Sequence, residues 1–418
     1  MPANSGVGMD HKSLLLRLWR SPYLWQSGAY VGMQMVMQAL LGTLQVWALA
    51  DHLPREGYGI WGYCAALAGI VTVFTLPGMG QVITYGAARG MDGVLWAGVK
   101  VRLKFGLLSS LALFGMAGAH LYTGERQAAG LLLLAGLFLP SQMAFDSVEP
   151  FLTGQGRFRA LFWRRLIAQG SIALAIWIGA AMTGSLWVCG LILYGGGWLV
   201  SLLLFKNLLQ YRRNTLLPDD FSALSRRFSL QSIGNAIGYN MERPLLAGLV
   251  GFEAMAAYNL ALAAQLPVGM GRLVDRIVVS RLANREVAVT PAQVRWGMWI
   301  LFGLGGAGYL VLVQLIRWLV PLILPAYLDA IALIEILLLQ MPFTWANSLG
   351  MSWLLARPEN HLWYHRVTWS VLVARIGSIV AGAVLGGIPG VCWAWVVLEG
   401  CQFGVAQGMI LRRTEGLR

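Results

Sequence analysis

Residues 239–248 read YNMERPLLAG and lie inside an otherwise apolar run from residue 229 to residue 251. A run of this length can cross the hydrocarbon core of a bilayer as a helix, which needs about 20 predominantly apolar residues. The run nevertheless places Glu242 and Arg243 side by side, followed at once by Pro244. Each charge at the centre of a spanning helix costs about 2.5 to 3.5 kcal/mol on insertion scales. The stretch therefore predicts a membrane helix that faces a wet or protein-lined interior.

The rest of the chain has a similar composition, because 57% of its 418 residues are hydrophobic and only 12% are charged. Soluble domains carry about 25% charged residues. We predict an all-α polytopic membrane protein with twelve transmembrane helices, and the apolar runs give their approximate bounds. The predicted spans are residues 24–49, 58–85, 104–122, 127–151, 165–183, 185–205, 229–251, 254–273, 296–316, 328–354, 364–386 and 388–411.

The net charge of +13 is distributed unevenly between the two sides of the predicted bundle. Of the 31 Lys and Arg residues, 26 lie in segments that would be cytoplasmic if the N-terminus is cytoplasmic. The opposite loops contain Arg55, Arg126 and Arg317, while Arg243 and Arg375 lie inside predicted spans. This bias follows the positive-inside rule and predicts that both termini are cytoplasmic. A nucleic-acid partner is unnecessary to explain the charge.

The predicted helices divide into two groups of six at a long hydrophilic stretch. We expect an N-terminal six-helix lobe in residues 1–209, a cytoplasmic linker in residues 210–228 and a C-terminal six-helix lobe in residues 229–418. Transporters commonly consist of two such halves, with the substrate site between them. All loops on the other side are short, which leaves no room for a catalytic domain outside the membrane.

The charges inside the predicted spans are the first candidates for function. Pro244 disfavours a helical conformation at Arg243 and removes a backbone donor, so we predict a kinked helix beside a cavity. Broken helices with polar groups at mid-depth mark substrate sites in secondary transporters. Arg243 and Arg375 are therefore candidate substrate-binding residues. The alternative is that Glu242 and Arg243 form a structural pair between helices.

Five carboxylates at or near membrane depth are candidates for coupling transport to an ion gradient. They are Glu242, Asp146, Glu149, Glu335 and Glu399. An inward-facing carboxylate can bind a proton or a sodium ion. Each of them could equally pair with an arginine of a neighbouring helix.

Polar side chains on the first and eighth predicted helices extend the candidate substrate site. The first helix carries glutamines at i, i+4 and i+11, which share one helical face. Such a face could hydrogen-bond sugar hydroxyls or bond to other helices. Basic residues near the cytoplasmic side could form an entry for an anionic headgroup or serve only as topological charges. The glutamines are Gln34, Gln38 and Gln45, and the basic residues are Arg89, Arg272 and Arg276.

The sequence offers no metal site or catalytic set. His361 and His365 have i, i+4 spacing, but Glu359 is the only further ligand nearby, and metal sites need more. No combination of Ser, His and Asp, or of Cys and His, can be argued from the spacing. We therefore predict neither a resident cofactor nor an enzymatic activity.

Four stretches resemble a known family, the Wzx-type oligosaccharide-lipid flippases of the multidrug, oligosaccharidyl-lipid and polysaccharide exporter superfamily. The first hairpin shares a short loop, a Tyr-Gly turn and a glycine-bearing helix end with that family. The other stretches share a Gly and Arg-Phe pair, an acidic-arginine pair before a Gly-containing loop, and the region of the tenth helix. They are residues 50–83, 149–166, 239–267 and 319–339.

The resemblance implies two six-helix lobes around a V-shaped cationic cavity in the bacterial inner membrane. It implies that the protein moves an undecaprenyl-pyrophosphate-linked oligosaccharide to the periplasmic leaflet by alternating access, for surface or exopolysaccharide export. Membrane lipids and a polysaccharide polymerase would be its partners. Two other functions remain open, namely a proton- or sodium-coupled multidrug exporter of the same superfamily and a membrane-embedded polysaccharide polymerase or ligase. The exporter would need a cavity of net negative charge lined by aromatic residues.

Overall fold

The computed structural model describes residues 22–209, 212–218, 221–269, 290–355 and 361–415, and this part of the chain is helical and contains no strand. We number its α-helices α1 to α16. They are α1 (Pro22–His52), α2 (Arg55–Val71), α3 (Met79–Ala88), α4 (Gly93–Tyr122), α5 (Arg126–Phe145), α6 (Val148–Gly154), α7 (Phe158–Thr183), α8 (Leu186–Gly190), α9 (Gly197–Leu208), α10 (Phe221–Asn240), α11 (Glu242–Ala263), α12 (Leu266–Gly269), α13 (Pro291–Ile323), α14 (Ala330–Leu338), α15 (Met341–Leu355) and α16 (His361–Glu415).

Ten segments within the described residues are long and apolar enough to cross a membrane. One of them, Ala236–Ala263, reverses its direction at Gly251, which has a φ of 80° and a ψ of 170°. Contacts along α2 show the reversal. From residue 240 to residue 252 the segment runs toward the N-terminal end of α2, and from residue 252 to residue 259 it runs back. Gly69, Gly59 and Gly62 of α2 face Asn240, Phe252 and Asn259, respectively.

A second segment, Trp369–Leu411, reverses at Gly387, whose φ is 57°. A β-carbon on Gly382 would lie 2.5 Å from the carbonyl oxygen of Gly390. Eight residues of straight α-helix would separate these positions by about 12 Å. The ten segments therefore comprise twelve membrane passes, as predicted.

The kink predicted near Pro244 stays a prediction, because the interruption that precedes it leaves Met241 with a φ of −72° and a ψ of −19°, which are helical values. The helix is interrupted at Met241, between α10 and α11, and Arg243 is helical. Pro244 lies in the first turn of α11, where its missing N–H breaks no bond within that helix. Glu242 is the first residue of α11, a position where the helix dipole favours a negative charge.

The buried side chains form one core at one end of the bundle and two at the other. We call the end that carries the turns at Gly251 and Gly387 the outer end, because it is the predicted extracytoplasmic end. The largest buried cluster combines outer halves of helices from both lobes, including Tyr58 and Tyr327. Two further clusters lie toward the inner end, one within each lobe. The lobes are thus joined mainly at the outer end.

The structure describes residues 212–218 and 221–228 of the predicted linker. The first segment is held against the N-terminal lobe, whereas the second is not a linker but the start of helix α10. Asp92 Oδ2 accepts a hydrogen bond from the backbone N–H of Arg213 at 2.8 Å. Asn214 Nδ2 donates to the carbonyl oxygen of Gly90 at 2.8 Å. This segment is therefore attached to the turn between α3 and α4. The lobe boundary at residue 209 remains a prediction.

Candidate functional site

The N-terminal lobe contains a polar cavity of about 580 Å³, lined mainly by α1, α5, α7 and α9, which we call the N cavity. Its polar lining consists of Gln38, Gln45, Gln142, Gln169, Asp146, Glu149, Arg164, Arg165 and Ser201. The formal charges of the two carboxylates and the two arginines cancel, so the described lining does not show the cationic cavity that the family resemblance implied. Among the described residues that line the N cavity, Phe145 is the only aromatic one. The cavity can therefore offer many hydrogen bonds to a neutral polar ligand.

The two N-cavity carboxylates already have partners. Ser201 Oγ donates a hydrogen bond to Asp146 Oδ1 at 2.6 Å. Glu149 forms an ion pair with Arg165 of α7. An ion bound by either carboxylate would have to compete with these contacts.

The three glutamines of α1 share one face, as predicted from their spacing. Gln38 and Gln45 line the N cavity, whereas Gln34 is buried. With its amide oxygen turned toward α7, Gln34 accepts a hydrogen bond from Arg165 Nε at 3.1 Å. Two amides of the glutamine face thus reach the cavity and one connects two helices, and the binding of sugar hydroxyls by Gln38 and Gln45 stays a prediction.

A second cavity, of about 280 Å³, lies in the C-terminal lobe between α11, α12, α15 and α16, and we call it the C cavity. Its lining residues are Glu242, Arg243, Leu262, Gln265, Leu266, Val268, Gly269, Gln340, Thr344, Trp395 and Glu399. Leu266 lines the N cavity as well, so the two cavities adjoin at this residue.

Glu242 and Arg243, the charged pair in the seventh predicted span, lie at the wall of the C cavity. Glu242 is only 2% exposed, and Trp395 Nε1 donates a hydrogen bond to its Oε2 at 2.6 Å. The Nε of Arg243 is buried and has no hydrogen-bond partner among the described residues. Leaving such a donor unpaired costs about 1 to 3 kcal/mol. Arg243 itself lines the C cavity.

Arg375 and Glu399 form a buried pair behind the C cavity. Arg375 Nη2 lies 3.6 Å from Glu399 Oε1, and the Arg375 guanidinium lies 4.4 Å from the ring centroid of Trp395. Asn347 Nδ2 donates a hydrogen bond to Glu399 Oε2 at 3.0 Å. Glu399 lines the C cavity but Arg375 does not. This contact set accounts for the charge of Arg375 without a ligand.

The basic residues predicted to form an entry are not brought into either cavity by the described part of the chain. Arg89 is exposed at the end of α3, where its guanidinium lies 4.2 Å from the ring centroid of Tyr85. Arg272 and Arg276 lie outside the described residues. Their predicted contribution to an anion entry therefore stays a prediction.

Glu335 lies apart from the other candidate coupling residues. Arg317 of α13 binds it through two contacts, Nε to Oε1 at 2.6 Å and Nη2 to Oε2 at 3.0 Å. The two helices belong to the same lobe, and Glu335 does not line either cavity. This geometry agrees with the alternative given above, in which Glu335 pairs with an arginine of a neighbouring helix.

Several lining residues were not identified from the sequence. Gln142, Gln169 and Gln340 are single amides within apolar spans, a signal that would have been sufficient to select them. Arg164 was counted only among the topological charges, although it lines the N cavity. Trp395 gave no signal, because tryptophan is common in membrane helices.

Comparison with known proteins identifies the fold. No family model and no curated protein sequence matches the chain. The fold is similar to that of an inward-facing multidrug resistance MATE family transporter of the MOP superfamily, with a TM-score of 0.68, 14% identity and coverage of 91% of this chain and 95% of that chain. The outward-facing conformation of such a transporter gives a TM-score of 0.69, 14% identity and coverage of 96% and 98%. The eukaryotic MATE transporter AtDTX14 gives 0.66, 12% identity and coverage of 94% and 96%. The chain is therefore a multi-pass membrane protein with the twelve-helix, two-lobe fold of these transporters.

Proposed function

We propose that the protein is a flippase that moves an undecaprenyl-pyrophosphate-linked oligosaccharide from the cytoplasmic to the periplasmic leaflet by alternating access. We place it in the bacterial inner membrane, with both termini in the cytoplasm, and connect it with surface or exopolysaccharide export. The two-lobe transporter fold supports the mode of transport, and the choice of substrate rests on the cavity lining.

The observation that carries this proposal is the amide-rich lining of the N cavity. Gln38, Gln45, Gln142 and Gln169 each offer donors and an acceptor, which suit the many hydroxyls of a sugar. Hydrophobic cations are instead favoured by aromatic faces and negative charge. The N cavity has one aromatic lining residue and balanced formal charges.

Arg243 is the group that we assign to the pyrophosphate. It lines the C cavity, which adjoins the N cavity at Leu266, and its buried Nε lacks a partner among the described residues. Guanidinium groups bind phosphate oxygens bidentately, and these charge-assisted bonds are stronger than neutral ones. Arg375, the other arginine predicted for this role, would support the site indirectly by holding Glu399 and Trp395.

The experiment is to measure flipping of a fluorescent polyprenyl-pyrophosphate disaccharide in proteoliposomes. Loss of a charge-assisted contact should lower the rate in Arg243→Ala at least about 10-fold. Arg243→Lys should be intermediate, because lysine keeps the charge but not the planar donor pair. Arg317→Ala is the matched control, since it removes an exposed arginine far from both cavities. Wild-type flipping by Arg243→Ala at equal protein density would refute the assignment.

A multidrug exporter is the second candidate, favoured by the carboxylates at both cavities and by the multidrug transporters among the similar structures. In this case Asp146 or Glu242 would bind a proton or sodium ion. Efflux of a lipophilic cation such as ethidium, driven by a pH or sodium gradient in the same proteoliposomes, separates the two functions. Gradient-driven efflux without lipid flipping would favour the exporter.

A further inference from the structure

The two lobes meet at the outer end through an exposed charged contact. Arg55, the first residue of α2, donates a hydrogen bond from Nη2 to Oδ2 of Asp329 in the C-terminal lobe, at 2.5 Å. The side chains of Arg55 and Asp329 are 33% and 54% exposed. The Arg55 guanidinium also lies 5.1 Å from the ring centroid of Tyr327, which is buried. One arginine therefore binds the opposite lobe in two ways.

Beneath this contact the lobes are packed tightly. Tyr58 meets Tyr327 edge to face, with ring centroids 6.2 Å apart. Asn259 Nδ2 lies only 1.9 Å from where a β-carbon of Gly62 would be. Asn259 is buried, and its Nδ2 donates a hydrogen bond to the carbonyl oxygen of Tyr58 at 3.3 Å. These interfaces exclude water from the space between the lobes at the outer end.

We propose that Arg55, Tyr327 and Asp329 form an outer latch, whose release separates the lobes and gives the cavities access to the extracytoplasmic side. The inner ends of the lobes have separate cores, whereas the outer ends share one. Release toward the outside therefore requires this shared core to part. An exposed ion pair and a single cation–π contact made by a partly exposed arginine are both weak, so they can hold the closed state and still break in every cycle.

The outer latch also has a distinctive chemistry. Its ion pair is solvent-exposed, and salt weakens interactions between exposed charges. Its cation–π contact suits the flat guanidinium of arginine better than the ammonium of lysine. The latch thus predicts two responses that a general packing defect would not produce, namely a dependence on external salt and a difference between arginine and lysine.

The test uses Asn259→Cys as a reporter of lobe separation, in a background where Cys64, Cys189, Cys392 and Cys401 are replaced by alanine, because the first three lie in the shared outer core. A membrane-impermeant maleimide is added separately to right-side-out and inverted vesicles, and the labelling rate is measured. We expect slow labelling with an intact latch and about 5-fold faster labelling from the outer face in Arg55→Ala and Asp329→Asn. Arg55→Lys should lie between them and the reporter alone.

Two controls make the result specific. Arg317→Ala breaks an ion pair within the C-terminal lobe and should leave the labelling rate unchanged. The double variant Arg55→Ala/Asp329→Ala should label no faster than Arg55→Ala, because Arg55→Ala already removes both the ion pair and the cation–π contact. Raising the external NaCl concentration should speed labelling of the reporter with the intact latch and have little effect on Arg55→Ala.

Equal labelling of the reporter alone, Arg55→Ala and Asp329→Asn would overturn the outer latch, as would an equal salt response in all of them. The inference goes beyond the proposed function, because lobe separation is measured without substrate. A failure of lipid flipping would therefore leave it intact, and the reverse also holds.

Discussion

Arg375 illustrates how single residues in this protein make a charge acceptable inside the membrane. Its guanidinium has a carboxylate at 3.6 Å and an aromatic face at 4.4 Å, supplied by Glu399 and Trp395. Asn347 satisfies the second oxygen of the same carboxylate. The charge is thus neutralised by its neighbours. At this position the chemistry favours a stabilising role over direct contact with a ligand.

This arrangement predicts a large loss of stability when one partner is removed. Arg375→Ala should lower the free energy of unfolding by about 3 kcal/mol or more, because it leaves the Glu399 carboxylate buried and unpaired. The double variant Arg375→Met/Glu399→Gln should recover much of the loss, since it removes both charges. Melting of the detergent-solubilised protein measures this, with Arg126→Ala as an exposed-arginine control. Equal melting temperatures for Arg375→Ala and Arg126→Ala would contradict it.

At the scale of elements, α2 is the helix on which the contact between the lobes depends. Gly59, Gly62 and Gly69 lie against the opposite lobe, and small residues let membrane helices approach closely. A β-carbon on Gly59 would lie 1.7 Å from the backbone carbonyl oxygen of Phe252. Backbone atoms cannot rotate away as a side chain can. Any larger residue here must therefore push α2 and α11 apart.

Gly59→Ala should consequently destabilise the closed outer end, at a cost of about 1 to 3 kcal/mol for overpacking. We expect a lower melting temperature and faster labelling of the Asn259→Cys reporter. Gly57→Ala is a matched control two residues away, because its β-carbon would meet only Pro54 Cδ at 3.8 Å. If both alanine variants behave alike, the close approach at Gly59 is not what holds the helices together.

The elements themselves could be predicted from the sequence to a large extent. The length of each apolar run indicated twelve passes, and Gly251 and Gly387 lie at the predicted breaks. Helix α4 begins at Gly93, whereas its predicted span begins only at residue 104. The prediction begins late because Lys100, Arg102 and Lys104 lower the local hydropathy. Hydropathy misses the first turns of this helix although Val94, Leu95 and Val99 within them are fully buried.

Single residues of the candidate site could be predicted on several helices, but a shared position could be predicted only for residues that lie on one helix. The face shared by the glutamines of α1 followed from helical periodicity, because Gln38 and Gln45 are separated by about two turns. The pairing of Glu242 with Trp395 joins residues 153 positions apart, and no local pattern connects them. Such contacts depend on how helices pack, which hydropathy and spacing do not encode.

At the scale of the whole molecule, the two lobes are joined unequally at their two ends. One buried core is common to both lobes at the outer end, whereas the inner end has two separate cores. The N and C cavities adjoin at Leu266, below the shared core. The lobes are therefore held together mainly at the outer end.

The attachment of residues 212–218 to the turn after α3 limits how far this molecule can rearrange. Asp92 and Asn214 hold residues 212–218 against the N-terminal lobe. Only two residues then separate this segment from Phe221, where α10 begins. When the lobes separate, we then expect the distance between α3 and α10 to change little. The distance between α1 and α12, at the opposite edge, should change more. Spin-label measurements would show this difference as a narrow distance distribution between positions 89 and 226 and a broad one between positions 33 and 266.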